Sequence, residues 1–141
     1  MNIEKKPKSL ILHPFLFAIF PIVSLFSQNL DLLSLNEIIF PLILFLVISA
    51  AAWIILRYTF KNSIKSGIII SIVWFIFFSY GYLFSVFDLT IFYSINFIQQ
   101  HLVLMIPFIG TLVIGILVIS RTKRRLNNAN TIANVIAIAL I

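Results

Sequence analysis

Apolar residues run through this chain in long unbroken blocks, with the polar residues gathered in the gaps between them. Four blocks, at about 10–27, 38–56, 67–87 and 102–120, contain no Lys, Arg, Asp or Glu. A helix needs roughly 17–25 apolar residues to cross a hydrocarbon core about 30 Å thick, and each block meets that length. Lipid offers no hydrogen-bond partners, so every backbone N–H and C=O must be satisfied within its own segment. Continuous apolar blocks therefore predict helices. Barrel strands would instead alternate apolar and polar residues over about ten positions. A fifth apolar run, 131–141, has 11 residues, which make about 16 Å of helix. It predicts a half-span, read here as the start of a longer segment, because carbonyls and a carboxylate left at membrane depth are costly. The expected fold is all-α: one polytopic transmembrane helix bundle over 1–141, with four full spans and a fifth, partial helix.

Composition supports the same class. Nine apolar residue types make up 62% of the chain, charged residues 10%, and the mean hydropathy is +1.15. A soluble domain is about half apolar and about a quarter charged. Soluble domains, disordered tails and disulfide-stapled modules are excluded. The chain has no cysteine, which removes thiol catalysis and Cys-ligated metals. Lys5, Lys6 and Lys8 before the first block resemble the start of a signal peptide, but no A-x-A-like cleavage site follows; Gln28, Asn29, Leu30 and Asp31 come next. A retained first span is expected.

Charge then orients the bundle. Ten Lys and Arg against four Asp and Glu give a formal net charge of +6. The cations fall in three groups: Lys5, Lys6 and Lys8; Arg57, Lys61 and Lys65; Arg121, Lys123, Arg124 and Arg125. The other two connections hold Asp31, Glu37 and Asp88 and no cation. The positive-inside rule places the N-terminus in the cytoplasm and sends the fifth segment outward. The basic residues read as topology signals, so no nucleic acid partner is expected. The expected partners are the bilayer, its anionic headgroups, and either other membrane subunits or a second copy. Arg121, Lys123, Arg124 and Arg125 are the candidate contacts to anionic lipid.

Local features add less. Gly67 and Ser71, and likewise Gly81 and Ser85, are four residues apart, a spacing that lets helices pack closely. Ala50, Ala51 and Ala52 thin one part of the second block. Pro14 and Pro41 lie near block starts, whereas Pro21 and Pro107 lie inside and predict kinks. Aromatic residues crowd the end of the third block and the stretch after it, among them Phe77, Phe78, Tyr80, Tyr82, Phe92, Tyr93 and Phe97. They read as an interfacial belt with protein packing, or as a lipid or isoprenoid groove. The stretch 88–101 reads as an interfacial helix or a long start to the fourth span. His13 and His101 are expected at opposite interfaces, too far apart to share a metal. Asn127, Asn128 and Asn130 supply turn and cap chemistry before the last helix. No nucleophile motif, phosphate loop or metal motif is present, so catalytic, cofactor-binding and metal residues are all assigned as none, and enzymatic activity stays open.

Three strings carry a resemblance: Leu12-His13-Pro14-Phe15-Leu16-Phe17-Ala18, Phe77-Phe78-Ser79-Tyr80-Gly81, and residues 126–135. With the four-plus-one plan, they resemble the membrane part of lipoteichoic-acid-synthase-like enzymes of the sulfatase/alkaline phosphatase superfamily, and related uncharacterised prokaryotic membrane proteins. The resemblance implies a prokaryotic plasma-membrane anchor, and a lipid-presenting module, for a phosphoglycerol or phospholipid-headgroup transferase of the cell envelope. Its catalytic domain would lie outside the cell after residue 141, so no catalytic residue is carried over. The alternatives are a stand-alone membrane subunit acting in a complex, and a small-molecule transporter whose thin polar lining would be Ser71, Ser79, Thr111 and Asn134.

Overall fold

A computed structural model describes residues 10–90 and 97–141. Five helices follow one another: α1 His13–Gln28, α2 Leu35–Phe60, α3 Ser63–Thr90, α4 Phe97–Arg121 and α5 Asn127–Leu140. There is no strand among the described residues, and the fold is all-α as expected. Lys5, Lys6, Lys8, Phe92 and Tyr93 lie outside the described residues, as do the side chains of Phe87, Asp88 and Phe97.

Helices α2, α3 and α4 contain 26, 28 and 25 residues, and each is long and apolar enough to cross a membrane. At about 1.5 Å per residue they measure roughly 37–42 Å. Helix α1 is shorter than expected. Its 16 residues give about 24 Å, less than a hydrocarbon core, so the described helices include three full-length candidate spans and not four. Residues 10–12 are not part of α1: Leu12 is its N-cap, with a carbonyl that accepts from the Phe15 and Leu16 N–H groups, while the Leu12 N–H and the Leu10 carbonyl pair with side chains of α5. At the other end, the Asn29 N–H returns to the Phe26 carbonyl at 3.0 Å and its side-chain amide donates to the Leu25 carbonyl at 2.8 Å. Helix α4 begins at Phe97, which fits the expected long start to the fourth block.

The helix ends follow local chemistry. The Ser34 N–H donates to the Glu37 carboxylate at 2.9 Å, so this acid closes the first turn of α2. Starting at Leu35 puts Pro41 in the second turn of α2, inside the helix and not at its beginning. Helix α2 stops at Lys61, which adopts the left-handed conformation with φ 50°. Asn62 starts α3 directly, its Oδ1 accepting the N–H groups of Ile64 at 3.1 Å and Lys65 at 3.0 Å.

Helix α3 is central. It packs on α1, α2, α4 and α5, while α1 also packs on α2 and α5. The core is Ala18, Ile70 and Trp74, with Phe17, Phe45, Ala52 and Phe78 packed around them. The small Ala18 gives the Trp74 indole room. Trp74 Nε1 donates to Ser49 Oγ at 2.9 Å, and Ser49 Oγ donates to the Phe45 carbonyl at 2.7 Å. Away from this seam the side chains are apolar yet exposed: Phe40 and Ile55 on α2, Ile106 and Ile114 on α4. Water would penalise such a surface, and lipid does not.

Candidate functional site

Two polar constructions stand out in an otherwise apolar molecule. The first joins the start of α1 to α5. A helix N-terminus leaves its first N–H groups without intrahelical partners, and α1 has no side-chain cap of its own. Asn134 supplies one from the far end of the chain: its Oδ1 accepts the N–H groups of Leu12 at 3.0 Å and His13 at 2.9 Å. Its amide nitrogen and that of Asn130, one turn earlier, each donate to the Leu10 carbonyl at 2.8 Å. The amide expected to cap α5 from position 130 thus sits inside α5 and reaches across to α1. Helix α5 itself begins after Leu126 without a side-chain cap.

His13 is fully buried in this joint, packed within the protein. Its Nδ1 lies 2.5 Å from Ser71 Oγ on α3, and its ring lies against Gly67. A methyl group on Gly67 would fall 2.7 Å from Ile11 Cγ2 and 3.3 Å from His13 Cε1. The absence of a side chain at Gly67 makes room for the imidazole. Gly67 and Ser71 therefore sit together where α1 crosses α3. Gly81 and Ser85 do not share this role. Gly81 has open space where a Cβ would project, and Ser85 is exposed, with its hydroxyl returned to the Tyr82 carbonyl at 2.8 Å.

The second construction lies where α2 and α4 end and α3 and α5 begin. Lys65, from the first turn of α3, reaches the terminal turn of α4, its Nζ donating to the Ser120 carbonyl at 3.0 Å. With Arg121, Lys123, Arg124 and Arg125 it lines a cleft of about 550 Å³, with Asn62 at its edge. The cleft brings together cations from two separate connections of the sequence, and no acid lines it. Arg57 lies apart, with its guanidinium 5.3 Å from the centre of the Trp53 ring. Asp31 and Glu37 belong to the opposite end of the bundle, where α1 ends and α2 begins.

The aromatic crowding of the third block divides into two uses. Trp74 and Phe78 pack in the core, with Phe45 5.1 Å and 5.7 Å from them, ring centre to ring centre. On the side facing α1 they border an apolar groove of about 900 Å³, also lined by Phe17, Pro21, Tyr82 and Leu140. Towards α4, the Tyr80 hydroxyl meets His101 Nδ1 at 2.5 Å, and the His101 ring stacks on Phe84 at 4.2 Å. No group of three or more His, Cys, Asp or Glu able to hold a metal occurs among the described residues.

The chain matches no family model, no curated protein and no solved structure. Sequence reasoning missed Lys65 as a member of the arginine cluster, since their spacing of some sixty residues carries no local signal. It also missed the Asn130–Asn134 clamp, although two amides four residues apart on an apolar helix mark one polar face.

Proposed function

We infer that the chain is a multi-pass module of a prokaryotic plasma membrane, with its basic end in the cytoplasm. It anchors, and presents lipid for, a phospholipid-headgroup transfer reaction of the cell envelope. The observation that carries this reading is the segregation of charge. Arg57, Lys61, Lys65 and the run from Arg121 to Arg125 gather at one end of a bundle with apolar, exposed flanks, and Asp31 and Glu37 sit at the other. The groove between α1 and α3 supports lipid presentation: it is apolar throughout most of its length, open to the side, and large enough for an acyl chain. The resemblance of three strings to envelope transferases supports the reaction class.

The absence of cysteine makes the orientation directly testable. Single-cysteine variants at Asp31, Lys61 and Arg124 are exposed to a membrane-impermeant maleimide on intact cells. Asp31→Cys is expected to react at once, and Lys61→Cys and Arg124→Cys only after permeabilisation. The reverse pattern overturns the orientation. A phospholipid carrying a diazirine in its acyl chain is expected to crosslink at the groove, near Phe78 and Leu140. Crosslinks confined to the outer faces of α2 and α4 would remove the presenting role.

A further inference from the structure

Five cations around one cleft repel one another unless an anion sits among them. Lys65, Arg121, Lys123, Arg124 and Arg125 line a space of about 550 Å³, and no acid contributes to its wall. Lys65 Nζ donates one hydrogen bond to the Ser120 carbonyl and has two further N–H donors. Guanidinium groups present paired donors that match the oxygens of a phosphate. Helix α5 opens at the cleft through Leu126 and Asn127 without a side-chain cap, so its positive dipole end adds to the same field. The volume lies within the roughly 300–1,000 Å³ of ordinary ligand sites.

The surroundings select the kind of anion. Within about one to two helical turns, Leu117 and Val118 on α4 and Ile132 and Val135 on α5 expose apolar side chains. A ligand with its phosphate in the cleft meets hydrocarbon immediately beside it. We propose that the cleft formed by Lys65 and the run from Arg121 to Arg125 is a discrete seat for the phosphate headgroup of one anionic phospholipid, whose acyl chains lie along α4 and α5. This rests on the reading of the chain as a membrane module. It goes further in separating one built site from the diffuse attraction that any surface cation exerts.

Lys65 and Lys61 provide the test, because they are four residues apart and only Lys65 lines the cleft. The full chain is placed in phosphatidylcholine nanodiscs that contain a minor fraction of fluorescent phosphatidylglycerol, and the lipid retained per chain is measured. A direct cation–phosphate contact inside the cleft contributes about a fivefold effect, whereas a cation outside it adds only screened, diffuse attraction. Lys65→Gln is expected to weaken retention by about fivefold, with Lys61→Gln leaving it unchanged. Arg124→Gln with Arg125→Gln, at exposed positions that leave the Lys65–Ser120 contact in place, is expected to weaken it about 25-fold. Equal losses from Lys61→Gln and Lys65→Gln would overturn the seat and leave only general surface charge. Displacement of the lipid by millimolar inorganic phosphate, or by a short oligonucleotide, would overturn the lipid as its occupant. Alkaline carbonate extraction separates the two levels. Release of the chain from membranes overturns the membrane reading and the seat together, whereas a chain that stays inserted but shows equal losses overturns the seat alone.

Discussion

The side-chain oxygen of Asn134 lies 2.9 Å from the backbone nitrogen of His13, 121 residues earlier in the chain. One side chain from the middle of α5 thereby completes the first turn of α1. Asn134→Ala removes the acceptor for two N–H groups and one donor to Leu10. The expected loss is about 1–3 kcal/mol, from a lost cap together with unpaired, part-buried donors. Thermal unfolding in detergent, followed by circular dichroism, measures it. Faster amide exchange at Leu12 and His13 in the variant identifies the cause. Unchanged exchange at both would show that the clamp does not hold α1.

Two glycines of α3 should answer differently to the same change. Gly67→Ala forces a methyl group to within 2.7 Å of Ile11 and against the His13 ring. Overpacking of this kind costs about 1–3 kcal/mol. Gly81→Ala meets open space and is expected to leave the melting temperature unchanged or to raise it slightly. A drop at Gly81 as large as that at Gly67 would mean that position 81 is covered by something the single chain does not supply.

The buried Trp74 indole depends on Ser49 as its acceptor. Interhelical hydrogen bonds of this type are worth about 0.5–2 kcal/mol in membranes. Ser49→Ala should lose about that much. In a Trp53→Phe background, Trp74 is the sole tryptophan, and its emission should shift to the blue when the indole N–H loses its partner. An unshifted spectrum would contradict the pairing.

Lys61 holds a left-handed backbone, φ 50°, between α2 and α3. That conformation costs a residue with a Cβ about 1–2 kcal/mol and costs glycine little. Lys61→Gly is expected to stabilise the connection by up to about 1 kcal/mol, and Lys61→Val to destabilise it. Paired thermal melts distinguish the two, and a lower melting temperature for Lys61→Gly would contradict the assignment.

The apolar blocks were legible because a helix in lipid must satisfy its own backbone and tolerates few charges across its hydrocarbon length. That requirement is local, so it can be read residue by residue. The positions of α2, α3 and α4 follow from it, and so does the sorting of cations and acids into alternate connections. The ends were less legible. The first block lost its opening residues to the Asn130–Asn134 clamp, and α5 started four residues before its apolar run because Asn127, Asn128 and Asn130 are helical. The Ser34–Glu37 pair that opens α2 was not singled out from the sequence, although its spacing is that of a capping box.

Helicity, the placing of α2, α3 and α4 and the separation of charge were thus determined by the sequence itself, since each depends on neighbours along the chain. Which helices touch was decided only in three dimensions. In lipid nearly every face of these helices is apolar, so periodicity does not mark the buried one; Gly67 and Gly81 look alike until His13 is found against the first and nothing against the second. The same holds for the polar pairs. Asn134 with His13, and Lys65 with the run from Arg121 to Arg125, are joined by folding across distances that no local pattern records.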